Sequence, residues 1–166
     1  MSTEFVDASS FLGMNSADED ERLACVRFFA ARLDGSLGIS AEQVGVCDDT
    51  VWGFGRHEQD LYYPFMDNLH TELRFDRLAY TEADLVAALD GDRLELSITE
   101  RLTLAMVINR DATLYTLNPR LLALADAPVR HPATDAAHDQ AFPAWLDQLY
   151  QDSLVLRVAP AEVLTP

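Results

Sequence analysis

The chain has 166 residues and an apolar fraction of 49%, which is enough to bury the core of one domain of ordinary size, so we predict a single domain over residues 1–166. It carries 12 basic and 28 acidic side chains, for a formal net charge of −16, and every basic residue is arginine. This balance excludes a uniformly basic nucleic-acid-binding protein and a polybasic membrane anchor.

Neither a membrane span nor a signal peptide is expected. No apolar run approaches the roughly 20 residues that cross a bilayer, and the segment MSTEFVDASS lacks the basic and apolar regions of a signal peptide. We therefore expect a cytoplasmic protein. Cys25 and Cys47 lack the spacing of a zinc site or a disulfide framework, so we expect both to be free thiols.

The first third of the chain alternates short apolar runs with helical patterns. The run FVD at residues 5–7 predicts a buried strand that ends at a polar edge. The S-x-x-E spacing at residues 16–19 is typical of a capping box and predicts a helix that ends at Asp34-Gly35. A brief strand is predicted at residues 37–39, followed by a helix over residues 41–52 that a second capping signal begins.

The same alternation continues through the middle of the chain. Residues 57–73 have a helical pattern and residues 75–80 the pattern of a short strand, after which a helix is predicted from Thr81 until Gly91 ends it. A third S-x-x-E box at residues 97–100 predicts another apolar helix. Residues 112–117 are the clearest strand signal in the chain.

The last part of the chain is predicted to contain two more helices and one more strand. A helix is expected over residues 120–125, a loop over residues 127–132, where two prolines lie, and a last helix around residues 145–150. Residues 154–158 are predicted to form the final strand. The loop at 127–132 is therefore not expected to join the sheet.

Strands of a few residues separated by helices require crossover connections, which favour parallel pairing. We therefore predict an α/β fold, a three-layer sandwich with a mainly parallel central sheet of about five short strands and helices on both faces. In such sheets, ligands bind beyond the carboxyl ends of the strands.

Polar side chains are predicted at this edge of the sheet. Asp7 ends the first strand, Glu100 lies in the first turn of a helix, and Asn118 follows the strand at 112–117; Glu42 and Asp49 are further candidates on the helix after the second strand. Carboxylates that share one crevice repel each other unless a cation compensates their charge. Oxygen ligands of this kind select Mg²⁺ or Mn²⁺.

Two segments resemble the PIN (PilT N-terminus) domain family. FVDASSFL is similar to the family's opening strand, with Asp7 at the first acidic position and Ser9 as its supporting hydroxyl. LSITERLTLAMVINRDATLYTLNPRLL is similar to the family's late helix–strand unit, with Glu100 at the third position and Asn118 at the fourth, where Asp is more usual. The second position, usually Glu, falls near Gly45, where the sequence has no carboxylate.

The resemblance implies a PIN-like domain that cleaves RNA phosphodiesters, since many members of the family are Mg²⁺- or Mn²⁺-dependent ribonucleases. The carboxylates would hold the metal, and the metal would activate a water molecule and offset charge in the transition state. The resemblance implies Asp7, Glu100 and Asn118 as catalytic residues, Asp7 and Glu100 as metal ligands and Ser9 as a substrate-side hydroxyl. For the second position Glu42 lies early and Asp48 or Asp49 late, so Glu42 is added as a catalytic candidate and Asp49 as a metal-ligand candidate. Arg101 and Arg120 flank the site in the sequence and are the candidates for binding substrate.

Each of these residues also has a purely structural interpretation, and the sequence leaves both open. Glu100 is the fourth residue of an S-x-x-E box and would then bond back to Ser97. Asn118 before Pro119 is typical of a helix N-cap followed by a first-turn proline. Glu42 would favour a helix N-terminus through the helix dipole.

The alternative function is that of a catalytically inactive PIN-like scaffold or protein-binding module. The aromatic residues between Trp52 and Phe65 would then form a partner surface or pair two copies of the chain, if they are not part of the core. The net charge of −16 disfavours RNA binding, which gains affinity from cations meeting phosphates, and no signal specific for DNA is present.

Overall fold

The computed structural model of the chain describes residues 2–90, 92–135 and 137–164. Its five strands are β1 (Glu4–Val6), β2 (Ser36–Ser40), β3 (Arg74–Leu78), β4 (Thr113–Tyr115) and β5 (Val129–Arg130). They form one sheet in the order β3-β2-β1-β4-β5, and every neighbouring pair is parallel. This confirms the predicted α/β class.

Helices connect the strands and flank the sheet. They are α1 (Ala8–Gly13), α2 (Glu19–Ala30), α3 (Ala41–Trp52), α4 (Arg56–Glu72), α5 (Glu82–Asp90), α6 (Ile98–Asn109), α7 (Pro119–Leu122), α8 (Ala144–Ser153) and α9 (Pro160–Leu164), together with a short 3₁₀ helix at Pro132–Asp135. Within the described ranges, each of these helices is too short or too polar to cross a bilayer.

The sheet separates two apolar clusters, which makes the fold a three-layer sandwich. Val6 and Tyr115 point into the larger cluster, which contains side chains of α1, α2, α4 and α8. Phe5 and Leu114, their neighbours along the same two strands, point into the smaller cluster with α6 and α7. Successive side chains of a strand face opposite sides of a sheet, so these short strands are buried on both faces.

The structure differs from the sequence-based prediction at the start of the chain. Helix α1 begins directly after β1, and Asp7 is its N-cap, accepting hydrogen bonds from the backbone N–H groups of Ser9 and Ser10. The cap of α2 is Asp18, which accepts from Glu21 N, and not Ser16 as the S-x-x-E spacing predicted. Ser16 instead donates to the Glu21 carboxylate at 2.9 Å.

The predicted final strand was wrong. The fifth strand of the sheet is β5, inside the segment predicted as a loop, where Val129 pairs with Leu114 of β4. Leu156 and Val158 of this segment are buried, and the segment is bonded to Asn15: Asn15 donates to the Leu156 carbonyl oxygen, and Val158 N donates to Asn15 O. The apolar alternation of this segment therefore reflects packing against the α1–α2 junction, away from the sheet.

Most other elements lie where the periodicity predicted them. Helix α3 spans Ala41–Trp52 with Ser40 as its N-cap, as predicted, and α6 begins with the complete capping box of Ser97 and Glu100. The glycine predicted to end α5, Gly91, lies outside the described residues.

Gly38 in β2 lies against the ring of Phe5 in β1, and a Cβ atom at position 38 would stand 2.6 Å from that ring. Phe5 is buried and has no free space into which to move. We expect Gly38→Ala to lower the free energy of unfolding by about 1–3 kcal/mol, measured by urea denaturation.

Gly45→Ala is the matched control for this substitution. Position 45 lies inside α3, and nothing is within 4 Å of a Cβ atom placed there. We expect this variant to be more stable by about 0.5–1 kcal/mol, because alanine loses less backbone freedom in a helix. Equal effects of the two substitutions would contradict the assigned β1–β2 packing.

Candidate functional site

A polar cavity of about 210 Å³ lies at the carboxyl edge of the sheet, next to the ends of β1 and β4. Its lining includes three of the predicted catalytic residues, Asp7, Glu100 and Asn118, and two of the predicted substrate-binding residues, Ser9 and Arg120. The remaining lining residues are Gln43, Ser97, Thr99, Thr103, Leu121 and Val163. The predicted polar edge thus exists in the folded chain.

Asp7 is almost fully buried and accepts hydrogen bonds at both carboxylate oxygens. Its Oδ1 accepts from Ser9 N at 3.1 Å, Ser9 Oγ at 2.6 Å and Ser10 N at 3.4 Å, and its Oδ2 accepts from Thr116 Oγ1 at 2.5 Å. Burial raises the pKa of Asp7, although these hydrogen bonds oppose the rise. Ser9 is therefore a direct support of this carboxylate, as predicted.

A chain of hydrogen bonds connects Asp7 to Glu100. Thr116 Oγ1, which donates to Asp7, accepts from Asn118 N at 3.0 Å, and Asn118 Nδ2 donates to Glu100 Oε1 at 2.8 Å. Residues that are 93 positions apart in the sequence are thus part of one network. The strand β4 brings them together because it pairs directly with β1.

The structural interpretations of Glu100 and Asn118 are also correct. Glu100 Oε2 accepts from Ser97 N at 2.6 Å while Ser97 Oγ accepts from Glu100 N, the two bonds of a capping box. Asn118 Oδ1 accepts from Arg120 N at 2.9 Å and caps α7, with Pro119 in its first turn. Both side chains therefore hold helix ends and line the cavity at the same time.

Arg120 supplies positive charge at the cavity. Its guanidinium lies 3.4 Å from Glu100 Oε2 and also donates to the Glu95 carbonyl oxygen. Burial raises the pKa of Glu100, but the hydrogen bonds from Asn118 and Ser97 and the charge of Arg120 outweigh this effect, so its pKa is below the ordinary value. Glu100 is thus held as a paired carboxylate.

Arg101, the other predicted substrate-binding arginine, is not at the cavity. Its Nη1 donates to the Ala88 carbonyl oxygen at 3.1 Å, and its side chain lines a separate groove between α5 and α6. One residue along a helix rotates the side chain by about 100°, so Arg101 points away from the face that carries Glu100.

The structure does not bring Glu42 and Asp49 into the cavity. Both line a shallow groove on α3, which they share with Glu162. Glu42 accepts from Tyr80 Oη at 2.6 Å and from Thr99 Oγ1 at 3.2 Å, and Thr99 lines the cavity. Neither Glu42 nor Asp49 itself lies in the cavity with Asp7 and Glu100, where the sequence had predicted them.

Gln43 is the residue of α3 that faces the cavity, and sequence reasoning missed it. Its side chain is buried, and Oε1 accepts from Ala8 N at 2.9 Å, at the start of α1. The sequence indicated only a capping role, because Gln43 is the fourth residue of an S-x-x-Q pattern that begins at Ser40. Its burial next to Asp7 arises from the packing of α3 against α1.

Two carboxylates and two amides supply the oxygen atoms that could bind Mg²⁺ or Mn²⁺ at the cavity. The amides are those of Gln43 and Asn118, and the oxygen of each already accepts a backbone N–H group. Of the two carboxylates, Glu100 is already paired with Arg120. Within the described residues, no group of three or more His, Cys, Asp or Glu side chains is placed to hold a metal ion. The arrangement does not fit a divalent cation.

The two cysteines do not contribute a reactive group to the cavity. Both are free thiols, as predicted, and burial raises the pKa of each. A thiolate is the nucleophilic form of cysteine, so neither residue is activated.

The fold and the cavity define an all-parallel, three-layer α/β protein with a hydrogen-bonded polar site at the carboxyl edge of its sheet. The chain belongs to a family of unknown function (DUF6190), whose model matches residues 1–163. Among curated proteins, no match to the chain is found.

The raised pKa of Asp7 predicts a pH dependence of stability. Between its ordinary value of 3.8 and the raised pKa, the folded chain retains a proton that the unfolded chain has released. The contribution of Asp7 to stability is therefore full below that interval and is lost as the pH rises through it. We expect the free energy of unfolding of the wild type, minus that of Asp7→Asn, to decrease as the pH rises above about 4.

Urea denaturation at a series of pH values measures this difference. Asp20→Asn, which removes an exposed carboxylate from α2, is the control for the loss of one charge. A difference between wild type and Asp7→Asn that stays constant or grows with pH is incompatible with a buried Asp7 of raised pKa.

Proposed function

We propose that this chain is a PIN-like α/β domain that works as a protein-binding module and not as a nuclease. The order of its elements and the placement of Asp7, Glu100 and Asn118 around one cavity support the PIN-like assignment. The chemistry of the cavity supports a role without metal-dependent cleavage.

One observation carries the proposal: the side chains of the cavity satisfy one another. Asp7 accepts four hydrogen bonds from Ser9, Ser10 and Thr116. Glu100 accepts from Ser97 and Asn118 and pairs with Arg120. A catalytic metal ion would have to displace these hydrogen-bond donors from the carboxylate oxygens of Asp7 and Glu100.

The charge of the cavity supports the same conclusion. The carboxylates of Asp7 and Glu100 and the guanidinium of Arg120 give the cavity a formal charge of −1. Because the pKa of Asp7 is raised, Asp7 takes up a proton at a higher pH than an ordinary aspartate does, and the negative charge is then smaller. Mg²⁺ is commonly held by one or two carboxylates with water and substrate phosphate, and here one of the two carboxylates, that of Glu100, is already paired with Arg120. RNA would also meet a chain with a net charge of −16.

Only part of the predicted aromatic partner surface is exposed to solvent. Tyr62 and Phe65 are buried in the larger cluster, where Phe65 packs against Phe142 and Tyr150. Trp52 alone among these aromatics has most of its surface in solvent, at 65% exposure. A partner surface must therefore include other parts of the chain.

The amides at positions 43 and 118 give a direct test of the cavity chemistry. We expect calorimetric titration of Mn²⁺ into wild type and into Asp7→Asn to give equal, negligible heats. We expect Gln43→Glu/Asn118→Asp to gain measurable Mn²⁺ binding, because it raises the number of cavity carboxylates from two to four. Urea denaturation confirms that this variant is folded.

Asn68→Asp/Gln148→Glu is the matched control, since it makes the same two chemical changes on α4 and α8, away from the cavity. It should bind no Mn²⁺. Strong Mn²⁺ binding by the wild type that Asp7→Asn abolishes would refute the proposal.

Metal-dependent RNA cleavage is the second candidate function, and one observation favours it: Asp7, Glu100, Asn118 and Arg120 do line a single cavity. Under our proposal, wild type incubated with structured and unstructured RNAs in Mn²⁺ leaves them intact. Cleavage that a chelator stops, and that is lost in both Asp7→Asn and Glu100→Gln, would establish the second candidate in place of the first.

A further inference from the structure

Helices α5 and α6 form an antiparallel pair at one side of the molecule. The carboxylate of Asp84, near the start of α5, is completely buried and accepts hydrogen bonds from Asn109 and Arg110, at the end of α6. At the other end of the pair, Arg101 donates to the Ala88 carbonyl oxygen. These polar contacts thus hold α5 on α6. The side of α5 that faces away from α6 carries the exposed side chains Leu85, Val86 and Leu89.

The surface of this helix pair is unusually apolar. Of the nine large apolar side chains that are exposed among the described residues, six lie between positions 85 and 108. They are Leu85, Val86, Leu89, Leu94, Ile98 and Ile108, and Leu94 is the most exposed of them at 76%. Exposed apolar side chains that are grouped in one part of a protein mark interaction sites more often than single scattered ones do.

A groove of about 460 Å³ runs along the same helix pair; we call it the α5–α6 groove. Its apolar lining consists of Ala87, Ala88, Leu104, Ala105, Ile108 and Leu124. Three carboxylates, those of Asp92, Glu95 and Asp126, line it together with Arg93 and Arg101. Ile108 belongs both to this lining and to the exposed apolar residues, so the groove adjoins the apolar surface at that position.

The charge around the groove selects the partner. The three carboxylates outnumber the two guanidiniums, and Glu82 and Asp90, both exposed, add negative charge at the two ends of α5. A second copy of the chain would bring the same carboxylates face to face, with a net charge of −16 on each protomer. A partner with lysine or arginine beside its apolar side chains would meet complementary charge.

We propose that the α5–α6 groove binds a basic amphipathic helix of another protein. The apolar side of that helix covers the exposed leucines and isoleucines, and its lysine or arginine side chains pair with Asp92 and Glu95. This inference rests on the proposed function, that the chain is a protein-binding module, and assigns it a surface and a class of partner.

The test uses the full chain and a labelled helical peptide of about 18 residues, five turns, made of leucine on one side and lysine on the other. We expect wild type to bind this peptide more tightly than a scrambled peptide of the same composition. We expect Leu89→Ser/Ile108→Ser and Asp92→Asn/Glu95→Gln to weaken binding by about tenfold and about fivefold respectively, as measured by fluorescence anisotropy.

Two control variants separate groove binding from general attraction to an acidic protein. Val155→Ser/Trp145→Ser removes exposed apolar side chains elsewhere, and Asp20→Asn/Glu72→Gln removes two exposed carboxylates from α2 and α4. Both should bind the peptide as wild type does. The four positions altered at or beside the groove are all exposed, so circular dichroism should show unchanged helix content in every variant.

Three outcomes would overturn the inference: equal binding of the scrambled peptide, equal loss in the control variants, or a wild-type dimer in sedimentation that Leu89→Ser/Ile108→Ser converts to monomer. The last outcome assigns the surface to a second copy of the chain. Failure of the proposed function has a different signature, since it appears as Mn²⁺ binding and chelator-sensitive RNA cleavage.

Discussion

The buried carboxylate of Asp7 organises this protein. An aspartate at the end of a buried strand loses its contact with water, and this chain compensates with donors from two segments: Ser9 and Ser10 in α1 and Thr116 beyond β4. Ser9 Oγ in turn accepts from Leu117 N, so the same hydroxyl joins the two segments. These contacts fix the carboxyl ends of β1 and β4 relative to each other, and the cavity lies between them.

The side chains of the cavity are bonded to one another and to the ends of the helices around it. Amides at positions 43 and 118 place oxygen atoms at the edge of the sheet, where each oxygen accepts a backbone N–H group and neither side chain brings negative charge. Arg120 places a cation beside Glu100. A polar network whose members are satisfied in this way favours one rigid conformation.

The aromatic side chains of α4 and the aliphatic side chains of α5 have different environments. Most aromatic residues of α4 lie in the core, where Phe65 packs against Tyr150 of α8. The large aliphatic side chains of the short helix α5 are exposed on the outside of α6. The buried ion pair of Asp84 and Arg110 makes this exposure stable, because it anchors α5 without requiring its leucines to be buried. The exposed apolar side chains of this helix pair are therefore aliphatic, and carboxylates lie beside them.

The sequence by itself determined the alternation of strands and helices, the bounds of α3 and the start of α6, because periodicity and capping act over a few residues. It also predicted five site residues that the folded chain places around the cavity: Asp7, Ser9, Glu100, Asn118 and Arg120. Only the tertiary structure decided that Gln43, and not Glu42 or Asp49, faces the cavity, and that Val129–Arg130 completes the sheet. A helix can rotate any of its sides toward a neighbour, and a two-residue strand has no periodicity of its own. Both outcomes depend on packing between segments far apart in the chain.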